Sequence, residues 1–175
     1  MPPRGLRAVV PVSLMSTLPV VERAALSDLV HRYAANVDER QFDTVAGLFT
    51  STAELTVPEP PAALRPIHSH RGQAAIGAAV ATVAQTIRTE HAIVGEVYSG
   101  VSEEASGPRS ARGRIACIAH HFSERADEII DAVWHLRYDD EYELTEVGWR
   151  ISRRALTILA IETRPVRRLL PRDPA

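Results

Sequence analysis

The hydrophobic pattern of the chain changes its period near Arg88, and this change restricts the folds that the sequence can adopt. Before this point, apolar residues recur every three to four positions in three segments, as in helices that bury one face. After it, apolar and polar residues alternate over long segments, as in strands that lie with one face on a core. Helices followed by antiparallel strands favour an α+β fold, with the helices on one side of a curved sheet.

The helical part is predicted to contain three helices and one early strand. The first helix begins at Pro19, which suits a first helical turn, and its apolar face leads to Asp38 at its end. A short second helix over residues 42–49 precedes a strand over residues 52–57. The proline-rich segment that follows is expected to be a loop up to Gly72, which opens the third helix.

The alternating part is predicted to form a four-stranded antiparallel meander. Its strands span residues 91–99, 111–122, 130–144 and 149–161. The polar segment at residues 100–108 is expected to be a hairpin loop. The meander therefore supplies most of the sheet against which the helices can pack.

Strand alternation assigns the side chains of the meander to two faces. His120 and His121 point to opposite faces, so they cannot act as one site. His121 shares its face with Cys117, which is expected to be a small core residue. The apolar face of the next strand carries Trp134, Leu136 and Tyr138.

All 20 basic residues are arginine, and the chain contains no lysine. This excludes a lysine Schiff base, pyridoxal phosphate held by lysine, and a phosphate-binding loop with its lysine. Because arginine stays protonated, it can stabilise an anion but cannot act as a base. If the chain abstracts a proton, that task therefore falls to a histidine.

Charge and cysteine content narrow the expected partners. The net charge is −2, which gives no reason to expect a nucleic acid, because proteins that bind one usually carry a basic surplus. Cys117 is the only cysteine, so no intrachain disulfide or cysteine metal cluster can form, and a cytoplasmic location is expected. No run of 18 apolar residues occurs, so no membrane span is expected.

A single domain is expected at this length, from residue 18 to residue 162. Residues 1–17 are predicted to be a flexible extension, and Met15 is an alternative start to Met1. Residues 163–175 form a basic tail interrupted by proline.

Four ionisable residues lie in apolar contexts or at the ends of elements: Asp38, His91, His121 and Arg154. Each also has a purely structural interpretation, such as a turn cap for Asp38 or a strand-start residue for His91. A carboxylate at the C-terminal end of a helix is disfavoured by the helix dipole, so Asp38 is expected to have a compensating partner.

His68 and His70 share a face of an extended segment and could in principle bind a metal ion. No third ligand follows at a recognisable spacing, so no metal and no cofactor are expected.

Three segments together resemble one family. They are YAANVDERQFD at residues 33–43, RTEHAIVG at residues 88–95 and GWRISRR at residues 148–154. The first and third resemble the opening helices and the final strand of SnoaL-like proteins, in the nuclear-transport-factor-2-like superfamily. The second resembles the histidine motif of the scytalone dehydratase group. The resemblance runs from about residue 20 to residue 161. It implies a cone-shaped, curved antiparallel (mixed) β-sheet wrapped by three N-terminal helices around a deep apolar pocket.

The resemblance also implies roles for the candidate residues. It implies that Asp38 and His91 form a catalytic dyad, in which the histidine takes a proton from carbon and the aspartate stabilises the imidazolium. It implies that Arg154 assists a leaving anion and that His121 is a second pocket histidine.

The pocket departs from the family pattern at two tyrosines and one asparagine of scytalone dehydratase. Val37 and Val57 stand in place of the tyrosines, and Tyr138 stands in place of the asparagine. Scytalone is therefore disfavoured as a substrate, and a more apolar molecule is expected. The expected substrate contacts are Tyr33, Val57, Trp134, Leu136 and Tyr138.

The expected function is that of a cofactor-free lyase or isomerase acting on a hydrophobic small molecule by dehydration, elimination or isomerisation. Two alternatives remain open: a non-catalytic small-molecule binding or accessory protein, and a ring closure of the polyketide-cyclase type. The superfamily resemblance implies association of the chain as a homodimer or homotrimer.

Overall fold

Three α-helices and six β-strands are present in residues 18–100 and 109–170, the parts of the chain that the computed structural model describes. The first half runs α1 (Val20–Asp38), α2 (Phe42–Gly47), β1 (Phe49–Glu59), β2 (Ala63–Arg71), α3 (Gln73–Val80) and a 3₁₀ turn (Ala81–Gln85). The second half runs β3 (Arg88–Gly100), β4 (Ser110–Arg125), β5 (Glu128–Thr145) and β6 (Gly148–Val166).

The six strands form one mixed sheet in the order β2-β1-β6-β5-β4-β3. Strands β3 to β6 are the predicted antiparallel meander, whereas β1 pairs with β6 in parallel. The α+β fold expected from the change of period is confirmed. The parallel pairing is possible because β2, α3 and strands β3 to β5 separate β1 from β6 along the chain, so that β6 can return beside β1 in the same direction.

The proline-rich segment after residue 57 was predicted to be a loop, and that prediction is wrong. Residues Ala63–Arg71 form β2, which pairs antiparallel with β1. Proline lacks a backbone N–H, but β2 lies at the edge of the sheet and pairs with β1 alone, so Pro66 is tolerated there. Strand β6 also extends to Val166, beyond the predicted end at residue 161. The predicted hairpin loop lies largely outside the described residues.

The two faces of the sheet differ as the alternation in the sequence predicted. Along β4, Ile115, Cys117, Ala119 and His121 are buried on the inner face, which faces α1. The intervening residues lie on the outer face and are exposed or half-buried. We call these the inner and the outer face below.

Helix α1 lies over the inner face and contacts β3 and β6. It buries one stripe of residues against the core: Leu26, Leu29, Val30, Tyr33, Ala34 and Val37. Because α1 ends at Asp38, this packing brings a carboxylate to the beginning of β3. Among the described residues, no helix combines the length and the apolar character needed to span a bilayer.

Candidate functional site

A cavity of about 230 Å³ lies between the helices and the inner face of the sheet. Its walls are mostly apolar. All five predicted substrate contacts line it, together with both histidines of the inner face. The lining residues that matter below are Tyr33, Val37, Val57, His91, His121, Trp134, Leu136 and Tyr138.

His91 and Asp38 meet at the wall of this cavity. Asp38 Oδ1 lies 2.7 Å from His91 Nδ1, and Asp38 Oδ2 accepts a hydrogen bond of 2.8 Å from the His91 backbone N–H. The side chains are 7% exposed for His91 and 23% for Asp38. The helix end and the strand start therefore hold the imidazole at two points, which fixes its orientation.

Burial opposes ionisation of Asp38, but the hydrogen bonds and charge of His91, with a hydrogen bond from Thr89, outweigh it and lower the pKa of Asp38. A carboxylate can only accept hydrogen bonds, so His91 Nδ1 carries the proton and Nε2 carries the lone pair. The imidazole is thereby held as the tautomer whose basic nitrogen is the one not used by Asp38.

His121 lies beside His91 on the same wall, with the two ring centroids 5.9 Å apart. It packs against Trp134 at 4.1 Å, and its Nδ1 lies 3.2 Å from the carbonyl oxygen of Ala132. Burial, and then the charge of His91, lower the pKa of His121 to about 4. His121 is therefore neutral near pH 7, and its Nδ1–H donates to the carbonyl.

Arg154, which is predicted to assist a leaving anion, is not among the residues that line the cavity. Its guanidinium is fully buried and forms two hydrogen bonds with Asp140, from Nε to Oδ1 at 2.9 Å and from Nη2 to Oδ2 at 2.6 Å. The guanidinium carbon lies 4.1 Å from the ring centre of Tyr33 and 4.2 Å from that of Tyr138. Arg154 therefore supports two cavity-lining rings from behind.

Three buried tyrosines with raised pKa values surround this ion pair. Burial raises the pKa of Tyr33, Tyr138 and Tyr142, although the charge of Arg154 opposes the rise in each. All three are neutral phenols at physiological pH. Tyr142 donates a hydrogen bond of 2.6 Å to Asp140 Oδ2.

Gly113 leaves room for Tyr142 in this network. A Cβ at this position would lie 2.9 Å from the ring and the hydroxyl of Tyr142, closer than such atoms pack in proteins. The glycine is thus part of the support for the ion pair.

The two histidines considered for a metal site are not part of the cavity. His68 pairs instead with Glu59 at 2.9 Å on the exposed β1–β2 hairpin. Across residues 18–100 and 109–170, no three His, Cys, Asp or Glu side chains are grouped closely enough to hold a metal ion.

Two polar residues near the site, Asp140 and Thr89, were not predicted from the sequence. Asp140 has the same strand parity as Tyr138 and Tyr142, so its place on the apolar face was readable from the alternation. Thr89 is 2% exposed and lies two residues before His91 on the same face. The cavity residues from the proline segment and from α3 had no comparable signal, because Pro58, Pro60, Val80 and Val83 reach the cavity only through the tertiary fold.

Residues 20–155 match a family model described as a SnoaL-like domain. A comparison with curated proteins gives no match. Among solved structures, a proposed aromatic ring hydroxylase from Novosphingobium aromaticivorans is similar, with a TM-score of 0.69 and 23% identity over 86% of this chain and 96% of its own.

Two further structures are similar at lower TM-scores. A proposed scytalone dehydratase from Novosphingobium aromaticivorans has a TM-score of 0.66 and 22% identity, over 89% of this chain and 95% of its own. A hexachlorocyclohexane dehydrochlorinase, LinA-type3, from Novosphingobium barchaimii has a TM-score of 0.63 and 20% identity, over 88% and 96%. At these identities the likeness shows the fold.

Proposed function

Because this chain belongs to the SnoaL-like domain family, we propose that it is a cofactor-free lyase or isomerase that removes a carbon-bound proton from a hydrophobic small molecule. The observation that carries the proposal is the 2.7 Å contact between His91 Nδ1 and Asp38 Oδ1 at the wall of an apolar cavity. The names of the similar structures, a scytalone dehydratase and a dehydrochlorinase, support the same class of reaction.

His91 is the proposed base. Its Nε2 takes the proton from a carbon next to a carbonyl group, and the electron pair of the C–H bond moves into the carbonyl system. The ionised Asp38 stabilises the imidazolium that forms. In an elimination, the electron pair then returns to form the double bond as the leaving group departs with its bonding electrons. In an isomerisation, His91 returns the proton to another carbon. General-base catalysis of this kind contributes about 10²–10⁴-fold.

His121 is proposed to bind a hydroxyl or amide proton of the substrate. Its Nδ1–H is used by the carbonyl of Ala132, so its Nε2 is left to accept a hydrogen bond. With a pKa of about 4, it stays neutral when His91 becomes charged. This assigns His121 to substrate orientation rather than to stabilisation of an anion.

An uncharged substrate suits this cavity best. The only residues of the lining with ionisable side chains are two histidines and two tyrosines, and the guanidinium of Arg154 is neutralised by Asp140. An anionic or cationic substrate would be desolvated there without a partner, which is costly. Trp134, Leu136 and Tyr138 offer an apolar surface to a planar or aliphatic body.

The proposal can be tested by incubating the protein in D₂O with a panel of uncharged β-hydroxyketones and β,γ-unsaturated ketones and monitoring the reactions by NMR. We expect deuterium incorporation next to the carbonyl, or water loss or double-bond migration, for at least one apolar member of the panel. His91→Gln is expected to slow the reaction about 10²–10⁴-fold. His31→Gln, on the exposed face of α1, serves as the control. An unchanged rate in His91→Gln, or no reaction with any compound, would count against the proposal.

The second candidate is a non-catalytic carrier, favoured by Val37 and Val57 at cavity positions where a carbonyl-activating group is expected. A carrier would bind the same ketones with equal affinity in the native protein and in His91→Gln, without exchange of protons. Ring closure of the polyketide-cyclase type needs the same base, so product analysis separates it from elimination.

We also propose that the chain associates with copies of itself through the outer face. Strand β3 exposes Val94 and Val97 there, 59% and 62% exposed. Light scattering of the native protein and of Val97→Glu tests this, with a fall to the monomer mass expected in the variant. A monomeric native protein would refute it.

A further inference from the structure

Arg40 occupies a backbone position that favours glycine. Its φ is 62°, in the left-handed region, directly after α1. The N–H of Arg40 bonds to the carbonyl of Val37, and the N–H of Gln41 bonds to that of Asn36, which together form a Schellman ending. A residue with a Cβ is disfavoured in this conformation, and a disfavoured conformation points to a task for the side chain.

The Arg40 side chain connects the end of α1 to the start of β3. Its Nη1 donates to Thr89 Oγ1 at 2.9 Å, and its Nη2 donates to Thr86 Oγ1 at 3.0 Å. The same guanidinium lies 3.4 Å from the carbonyl oxygens of Val37 and Thr86. It therefore joins the two elements that carry Asp38 and His91.

The Thr89 hydroxyl connects this guanidinium to Asp38 electrostatically. Thr89 is buried, and hydrogen bonding by its side chain is among the influences that lower the pKa of Asp38. A guanidinium can only donate, so the hydroxyl oxygen accepts from Arg40. The single proton of the hydroxyl is thereby left for another acceptor, such as the Asp38 carboxylate.

We infer that Arg40 is a positioning residue, which acts through Thr89 to orient the Asp38 carboxylate toward His91. The catalytic importance of Arg40 rests on the proposed function, whereas its contacts with Thr86 and Thr89 do not. Titratable groups that act on Asp38 or feel its charge include His91 on β3 and His121 and Cys117 on β4. None of these contacts requires Arg40, so its contribution is separable by mutation.

The test is an NMR titration of the Asp38 side-chain carboxyl carbon in the full-length ¹³C-labelled protein, assigned with Asp38→Asn. Arg40→Gly relieves the disfavoured backbone conformation, so the variant is expected to fold. We expect the pKa of Asp38 to rise in both Arg40→Gly and Thr89→Val. Thr89→Val removes the hydroxyl proton that the carboxylate accepts, and Arg40→Gly removes the guanidinium that orients this hydroxyl. In the double variant, the pKa of Asp38 should rise no further than in the single variant with the larger rise, because both substitutions act through the same hydroxyl.

Three further variants separate position from charge. Thr89→Ser keeps the hydroxyl and is expected to titrate like the native protein. Arg40→Lys keeps the charge but cannot bridge both threonines, so an intermediate pKa is expected. Arg32→Met, whose side chain pairs with Asp28 on the surface of α1, is the matched arginine control and should change nothing.

An unchanged Asp38 pKa in Arg40→Gly would overturn the inference. If the pKa of Asp38 rose in Arg40→Gly but not in Thr89→Val, the route through Thr89 would be overturned, because the charge of the Arg40 guanidinium would then act on Asp38 directly. The titration uses no substrate, so its outcome is independent of the proposed function. If Asp38 responds as expected and the native protein turns over no ketone, the positioning stands and the proposed function fails.

Discussion

The two faces of the sheet carry a histidine hydrogen-bonded to an aspartate in nearly the same geometry. On the inner side, His91 Nδ1 lies 2.7 Å from Asp38 Oδ1, and on the outer face His120 Nδ1 lies 2.8 Å from Asp131 Oδ2. The surroundings differ. His91 lines an apolar cavity, whereas Asp131 Oδ2 also accepts from Arg164 at 3.2 Å, and His120 stacks on Phe122.

This difference shows that the pair alone does not make a site. Asp131 Oδ2 is shared between His120 and Arg164, whereas both oxygens of Asp38 accept hydrogen bonds from His91. His120 and Asp131 are also not among the residues that line the cavity. Neighbouring residues of a strand alternate between the two faces. A substitution on the inner face can therefore be compared with the same substitution at a residue of the outer face.

The largest effect is expected from removing the charge of the inner aspartate. Asp38→Asn retains the shape of the side chain but not the charge that stabilises the imidazolium, so kcat should fall about 10²–10⁴-fold on any ketone that the native protein turns over. Asp131→Asn should leave kcat unchanged. Equal losses in the two variants, measured under identical conditions, would show that the effect is structural.

The next largest effect is on stability, and it compares two arginine–aspartate pairs whose aspartates, Asp139 and Asp140, are neighbours on β5. Arg154 and Asp140 are completely buried, whereas the Arg114 side chain, which pairs with Asp139, is 68% exposed. Arg154→Met leaves a buried carboxylate without its partner and is expected to lower the free energy of unfolding by about 3–5 kcal/mol. Arg114→Met should cost at most about 1 kcal/mol. Urea unfolding measures both.

A double variant sharpens the same comparison. Replacing both Arg154 and Asp140 with apolar residues removes the unpaired charge, so much of the loss in Arg154→Met should be recovered. No recovery would mean that the stacking of Arg154 on Tyr33 and Tyr138 contributes more than its ion pair does.

The smallest of these effects is a dependence of stability on pH. The pKa of His121 falls from 6.5 to about 4 on folding. Between these values, the unfolded chain binds a proton that the folded chain does not, so stability is lost as the pH falls from 6.5 toward 4. At 1.36 kcal/mol per pKa unit, this loss is roughly 3 kcal/mol.

Replacement of His121 should remove that part of the acid sensitivity. Urea unfolding of His121→Phe is expected to show a smaller loss of stability than the native protein between pH 6.5 and 4. His120→Phe should retain the full loss. The slopes with pH are compared, so a difference in absolute stability between the variants does not affect the result. Parallel slopes in all three proteins would contradict the low pKa of His121.

Elements with a strong local pattern could be predicted from the sequence, and elements with a weak one could not. The alternation in β4 and β5 correctly separated His120 from His121, because a strand turns successive side chains to opposite faces wherever it lies. The same parity would have placed Asp140 on the inner face. Strand β2 was missed because Pro66 lowers the local preference for a strand, and the edge position that tolerates it is a property of the assembled sheet.

The candidate site divided in the same way. That Asp38 ends a helix and His91 lies near the start of a strand was readable from the chain. The contact between them depends on packing across 53 positions of sequence, which brings α1 onto β3. Arg154 was a candidate from its apolar context, but its partner Asp140 lies on another strand, so their ion pair could not be predicted from the local pattern.

The sequence by itself determined the order of the helices and of every strand except β2, the two faces of the meander, and the absence of lysine chemistry. These properties follow from periods of two and 3.6 residues and from composition, all of which are local. The tertiary structure decided which polar groups became partners: His91 with Asp38, Arg40 with Thr89, and Arg154 with Asp140. Hydrogen bonds and ion pairs act over a few ångströms, so only the assembled fold selects the groups that come within that range.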